Sequence, residues 1–245
     1  MYITTEIQDA VEIITIDRPK ALNALNPEVL EELKAAFEAV DQNAVRCIVL
    51  TGAGEKSFVA GADIASMSTM TKAEGEAFGK LGNDIFLMIE KFPIPVIAAV
   101  NGFALGGGNE LAMSCDIRIC SENALFGQPE VGLGITPGFG GTQRLARLIG
   151  PGMAKQITYA ALNIDAAEAL RVGLVNAVYP LEELMPAALK LAAKIAKNAP
   201  IAVRACKKAI NEGLQGSIEE GVAIEEKLFG SCFETHDRSK AWPAS

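Results

Sequence analysis

Two glutamates are the residues whose types and settings best suit chemistry. Glu130 is the sole charged side chain between Ala124 and Thr142. A loop carboxylate among Phe126, Val131, Leu133, Ile135 and Phe139 is either a buried structural acceptor or an acid of raised pKa. Glu110 lies two residues beyond Gly106-Gly107-Gly108, flanked by Leu111, Ala112 and Met113. A glutamate in a helical first turn commonly just complements the helix dipole from the solvent side, but the apolar flanks argue against that here. Two such carboxylates can hold one water between them, one as base and the other as acid. The single histidine, His236, lies close to the end. A Ser-His-Asp or Cys-His mechanism and a multi-histidine metal site are thereby excluded, so acid–base work falls to carboxylates, Lys, Tyr or Cys.

The glycine triplet supplies a second ingredient. It reads first as a tight strand–helix junction. It also lets a ligand approach backbone N–H groups closely, and the helix that follows aims unpaired N–H groups and a partial positive charge at that ligand. An oxyanion hole can be built this way without a cation.

These groups need a scaffold. Val11, Ile13 and Ile16 form a β-branched run after a short partner at Ile3 to Ile7. Asn26-Pro27 reads as an N-cap with proline at the first helical position, followed by Leu30, Leu33, Phe37 and Val40 at helical spacing. Buried strands are expected at Cys47 to Thr51, Pro95 to Val100 and Asp116 to Cys120, and short ones at Ala124 to Phe126 and Val175 to Val178. Helices are expected at about Ala73 to Lys91, Asn109 to Ser114, Thr142 to Leu148 and from an Asp165 cap through Arg171. Past Pro180 the pattern is helical only: Glu182 to Ala196, Ala202 to Glu212 and Ile218 to Phe229. Alternating strands and helices, then helices alone, indicate an α/β core with a helical C-terminal region.

The composition closes other doors. Of 245 residues, 50% are hydrophobic and 21% charged, which favours one sizeable core over disorder. Twenty-two basic against 30 acidic residues leave a net charge of −8, a poor match for a nucleic-acid backbone. No apolar run approaches a membrane span and no secretory leader is visible. The five cysteines are scattered without a CxxC pair, which suits reduced thiols in the cytoplasm. Thr51 to Ser57 resembles a phosphate-binding loop, but Leu50 and Glu55 stand where that loop needs glycine. Neither Gly106-Gly107-Gly108 nor Gly138 to Gly141 completes a G-x-G-x-x-G dinucleotide signature.

Three stretches, Lys56 to Ile64, Ala98 to Leu111 and Phe126 to Leu145, resemble the crotonase (enoyl-CoA hydratase/isomerase) superfamily, nearest to its short-chain enoyl-CoA hydratases. The likeness runs in order from about Val11 to Cys232. It implies an α/β fold, a spiral of ββα units over residues 1–195 carrying the active site. A C-terminal helical trimerisation region would follow over 196–245, and the implied assembly is a trimer or a dimer of trimers. It implies an acyl-CoA substrate, hydration of the enoyl double bond, and no metal or redox cofactor. By the same resemblance Ala62 and Gly107 match the oxyanion-hole donors, and Glu110 and Glu130 the catalytic pair. Ala60, Gly61, Ala62, Asp63 and Ile64 match the backbone that holds coenzyme A, with Gly106 and Gly108 beside it and Lys56 near the ADP phosphates.

Both glutamates being present favours hydration over isomerisation, since the isomerases usually lack one. Isomerisation and non-catalytic acyl-CoA binding are the alternatives. Asn109 stands where hydratases often carry a small or apolar residue, and Ala65 replaces a lysine that some members direct at the CoA phosphates. The polar stretch from Thr235 to Ser245 lacks helical periodicity, so the terminal helix is expected to be atypical or cut short, with weaker trimer packing.

Overall fold

The computed structural model describes residues 1–236. The chain opens with an antiparallel hairpin, β1 (Ile3–Gln8) and β2 (Val11–Ile16), whose second strand is the buried one. Helix α1 (Pro27–Glu38) starts as its sequence dictates: the Asn26 side chain accepts the Val29 N–H at 2.9 Å and Pro27 takes the first helical position. Then comes a pattern used three times, in which a long strand of one sheet leads into a short strand of another, and helices return the chain. The pairs are β3 (Cys47–Gly52) with β4 (Ser57–Val59), β5 (Val96–Val100) with β6 (Phe103–Leu105), and β7 (Ile117–Ser121) with β8 (Leu125–Gly127). Helices α2 (Ile64–Met67) and α3 (Lys72–Lys91) follow the first pair, and α4 (Gly107–Ser114) the second. A 3-10 turn at Glu130–Leu133 and helices α5 (Gly141–Ile149) and α6 (Pro151–Tyr159) follow the third. Strand β9 (Asn163–Asp165), α7 (Ala166–Arg171), β10 (Ala177–Tyr179) and helices α8 (Leu181–Ala196), α9 (Pro200–Gly213) and α10 (Ile218–Cys232) complete it.

The large sheet has the order β1-β2-β3-β5-β7-β10, parallel from β2 onward; the small one runs β4-β6-β8-β9, parallel except for β9. Alternate residues of each long strand serve opposite faces. Ile48, Leu50, Val96 and Ala98 join the main core with α1 and α3, while Cys47, Val49, Ile97 and Ala99 meet Leu184, Ala188 and Ala192 of α8. Burial on both faces explains why these strands read as unbroken apolar runs. Thus α8 belongs to the packed core, whereas α9 and α10 contain no buried residue and lean chiefly on each other.

The strands β4, β6 and β9 and the helix α6 have no counterpart in the periodicity of the sequence. The three strands have three residues each, too few for a period to show, and only pairing defines them, β4 with β6, β6 with β8, and β9 with β8. Helix α4 begins two residues before the expected Asn109, because its glycines take part in the helix. Residues 237–245, most of the stretch expected to lack a terminal helix, lie outside the described residues.

Candidate active site

The site forms where β6 turns into α4. Gly106 has φ +51° and ψ −121°, a conformation that glycine alone adopts without strain, and a Cβ there would lie 2.6 Å from a Glu130 carboxylate oxygen. A Cβ on Gly108 would collide with the backbone carbonyl of Val59, so Gly108 is what lets α4 seat directly on β4. The helix is buried along its whole length. Gly106 donates its N–H to Gly127 O at 2.9 Å, but the Gly107 N–H, at the first helical position, finds no acceptor among the described residues.

Ala62 offers a second unpaired N–H for a reason that lies in strand pairing. Leu25 bridges to this segment in parallel, giving its N–H to Gly61 O (2.8 Å) and accepting from Asp63 N–H (2.7 Å). Flanking groups taken on one side leave the Ala62 N–H facing the other, and it too has no acceptor among the described residues. Ala62 and Gly107 both line a cavity of about 660 Å³.

Glu110 and Glu130 line the same cavity and are 1% and 8% exposed. One Glu110 oxygen, Oε1, accepts the N–H groups of Phe139 (3.0 Å) and Gly141 (2.7 Å). Burial nevertheless pushes its pKa up to about 7, with the Glu130 charge adding to the rise and the two N–H donors and Arg144 opposing it. Glu130 is also raised by burial, opposed by its own backbone N–H and by the Gln128 Nε2 at 3.1 Å. Gln128 in turn accepts from Asn109 Nδ2 at 2.9 Å. Among the described residues just two buried side-chain polar atoms lack a partner, Glu130 Oε2 and Asn109 Oδ1. A carboxylate oxygen kept dry and unpaired on a cavity wall is a proton donor or acceptor in waiting.

Of the residues singled out from sequence, Ala60, Gly61, Ala62, Ile64, Gly106, Gly107, Glu110 and Glu130 come together around this cavity. Three do not line it. Lys56 is exposed just ahead of β4. Asp63 turns away: it caps α2 through Ala65 N–H and pairs with Arg18 at 2.9 Å, a contact that holds its carboxyl below the usual range. Gly108 sits behind the wall, against Val59. Asn109, which stands where hydratases often carry a small or apolar residue, is the buried donor that orients Gln128.

Sequence reasoning missed the opposite wall, drawn from Met67, Met70 and the α3 residues Gly75, Phe78 and Gly79. Phe139, read from sequence only as an apolar neighbour of Glu130, meets that wall, its ring packing edge-on against Phe78 (5.1 Å) and Phe86 (5.6 Å). The glycines at 75, 79 and 82, unusual inside a helix, were the one available signal. A Cβ on Gly82 would strike the Phe139 ring.

A site of buried carboxylates beside unpaired peptide N–H groups, on a spiral of ββα units, defines a class. The chain belongs to the enoyl-CoA hydratase/isomerase family, whose model it matches over residues 6–244. That match continues past Cys232, where the motif likeness was expected to end. Within the family, the chain is 58% identical over 240 residues to a short-chain-enoyl-CoA hydratase of Clostridium acetobutylicum, covering 98% of this chain and 92% of that one. It is 55% identical over 243 residues to a crotonyl-CoA hydratase of Syntrophomonas wolfei, covering 99% and 94%. Among solved structures, an enoyl-CoA hydratase from Bacillus anthracis superposes with a TM-score of 0.95 at 41% identity, covering 97% of this chain and 93% of that one.

Proposed function

We propose that the protein is a short-chain enoyl-CoA hydratase, a hydro-lyase that adds water reversibly across C2–C3 of a trans-2-enoyl-CoA such as crotonyl-CoA to give the 3-hydroxyacyl-CoA. The observation that carries this reading is the meeting of two buried carboxylates and two unpaired peptide N–H groups in one largely apolar cavity. The likeness to the Clostridium and Syntrophomonas hydratases supports the choice of substrate.

In this reading the thioester carbonyl oxygen lies between the Ala62 and Gly107 N–H groups. These stabilise the negative charge that grows there as water attacks C3. Glu110, whose Oε1 is tied to two peptide donors, is the base: its free oxygen takes a proton from the attacking water. Glu130, with Oε2 unpaired, delivers the proton that C2 receives. The pair gains one proton at Glu110 and loses one at Glu130, so its proton count is unchanged, and transfer of a proton from Glu110 to Glu130 through water resets the site for the next turnover. No electron is transferred, and the reaction calls for no metal or redox cofactor; the coenzyme A thioester is itself the substrate. The Ala60–Ile64 segment would run beside the CoA moiety, with Lys56 reaching its phosphates from outside the cavity.

Purified protein given crotonyl-CoA should remove the conjugated enoyl-thioester absorbance and yield a product heavier by one water. A positional isomer of unchanged mass would instead assign isomerisation, and tight binding without turnover would assign a binding protein. The oligomeric state follows the same reading. Ile201, Ile210, Leu214, Ile218, Val222 and Phe229 lie exposed along α9 and α10, and apolar surface of that extent is usually covered by a partner. The occupant proposed is further copies of this chain, in trimers or pairs of trimers, in the cytoplasm. Among the described residues no helix is long and apolar enough to cross a membrane. Sedimentation velocity across a concentration series tests the assembly, and a monomer throughout refutes it.

A further inference from the structure

The two N–H groups that hold Glu110, 29 and 31 residues further along the chain, belong to the turn that runs from Gly138 into Gly141, the first residue of α5. A loop holds an N–H in place only if something holds the loop. Its Gly138 carbonyl accepts from Asn83 Nδ2 on α3 at 2.7 Å. Its Phe139 carbonyl accepts from Arg144 Nη1 at 3.0 Å. Gly140, at φ +97°, turns so closely over Arg144 that a Cβ there would strike the guanidinium. Arg144 is itself fixed from behind. Its Nε and Nη2 both donate to Glu90 Oε2, at 2.9 and 2.7 Å, and its side chain is 10% exposed. The rigid fork of a guanidinium suits such a grip. Two donors take the Glu90 carboxylate while a third reaches the carbonyl, which a lysine cannot reproduce.

We propose that Arg144 is a positioning residue for Glu110. Clamped by Glu90, its guanidinium grips the Phe139 carbonyl and thereby keeps the Phe139 and Gly141 N–H groups on the Glu110 carboxylate. The catalytic consequence rests on the hydratase reading; the structural claim does not. The charged groups that face Glu110 are few. Glu130 lies across the cavity, Arg144 on α5 with Glu90 of α3 behind it, and Lys72 of α3, paired with Glu76 at 3.7 Å, lines the exposed margin. Arg144 is the buried cation among them, and its charge and its grip on the donors act in one direction, toward the ionised carboxylate.

The test measures the Glu110 carboxyl directly. Infrared difference titration on protein labelled with carbon-13 glutamate, with Glu110→Gln used to assign the band, gives its midpoint in the wild type, Arg144→Met and Arg144→Lys. The midpoint should rise by about one pH unit in Arg144→Met and by less in Arg144→Lys, which keeps the cation but loses the fork. With crotonyl-CoA, the acidic limb of the pH profile should move by the same amount, kcat should fall, and KM should stay near its wild-type value. A folded Arg144→Met with an unmoved midpoint overturns the proposal. If that variant does not fold, an unmoved midpoint in Arg144→Lys does so. Wild-type protein that fails to hydrate crotonyl-CoA would sink the hydratase reading alone, since the titration decides the role of Arg144 without turnover.

Discussion

Replacing Glu110 by glutamine should abolish most of the activity while making the fold more stable, and more so as the pH rises. The carboxyl of Glu110 titrates near 7 in the fold against an ordinary 4.5, with burial as the chief cause. Between those two values the folded state holds a proton that the unfolded state has lost, so stability falls as pH rises through the window. At about 1.4 kcal/mol for each tenfold change, the ionised Glu110 costs the fold about 3 kcal/mol above pH 7 and about 1 kcal/mol at pH 5.5. Glutamine keeps an oxygen for the Phe139 and Gly141 N–H groups and never ionises. The advantage of Glu110→Gln should therefore grow by about 2 kcal/mol between pH 5.5 and pH 8, which for a chain of this size is about 4–8 °C in Tm. Thermal melts of both proteins at matched concentration, at the two pH values, measure it. A Tm difference that is independent of pH would refute the argument that burial strains this carboxylate, and so would a variant less stable at pH 8. Loss of the base should at the same time lower kcat by about 10²–10⁴-fold.

Glu130→Gln should likewise lower kcat by about 10²–10⁴-fold with a much smaller change in affinity for the CoA ester; near-wild-type turnover would end the paired-carboxylate mechanism. Gly107→Pro removes an N–H that has no partner among the described residues, so a folded variant should lose about 2.7–4 kcal/mol of transition-state stabilisation. Circular dichroism checks the fold, and full activity in a folded variant would remove Gly107 from the oxyanion hole. Gly108→Ala drives a methyl into the Val59 carbonyl, and overpacking of that kind costs about 1–3 kcal/mol. Its urea midpoint should drop, and because the shift unseats α4, kcat should drop with it; a wild-type midpoint would show that α4 can move at no cost.

Much of the architecture was legible because it is written locally. The Asn26-Pro27 start, the Asp165 cap and the apolar runs of β3 and β5 each carry their own signal within a few residues, and the structure places them as the sequence predicts. The short strands β4, β6 and β9 carried none. A strand that short is defined by its partner, as β4 is by β6 and β6 by β8. Asp63 shows the same limit at the site: its place in a motif says nothing of its side chain, which a partner 45 residues earlier, Arg18, draws away from the cavity.

The sequence by itself determined which groups could react. It isolated Glu130 in an uncharged loop, set Glu110 behind three glycines at a helix start, and left a single histidine to compete with them. Only the tertiary structure decided how those groups are tuned. It made the Ala62 N–H available by spending its neighbours on Leu25, brought the Phe139 and Gly141 donors to Glu110, and put Gln128 and Asn109 behind Glu130. The physical reason is range. Helix caps, turns and periodicity act between residues a few positions apart, whereas desolvation and hydrogen bonding at a buried carboxylate depend on what the folded chain brings within about 3 Å from anywhere along its length.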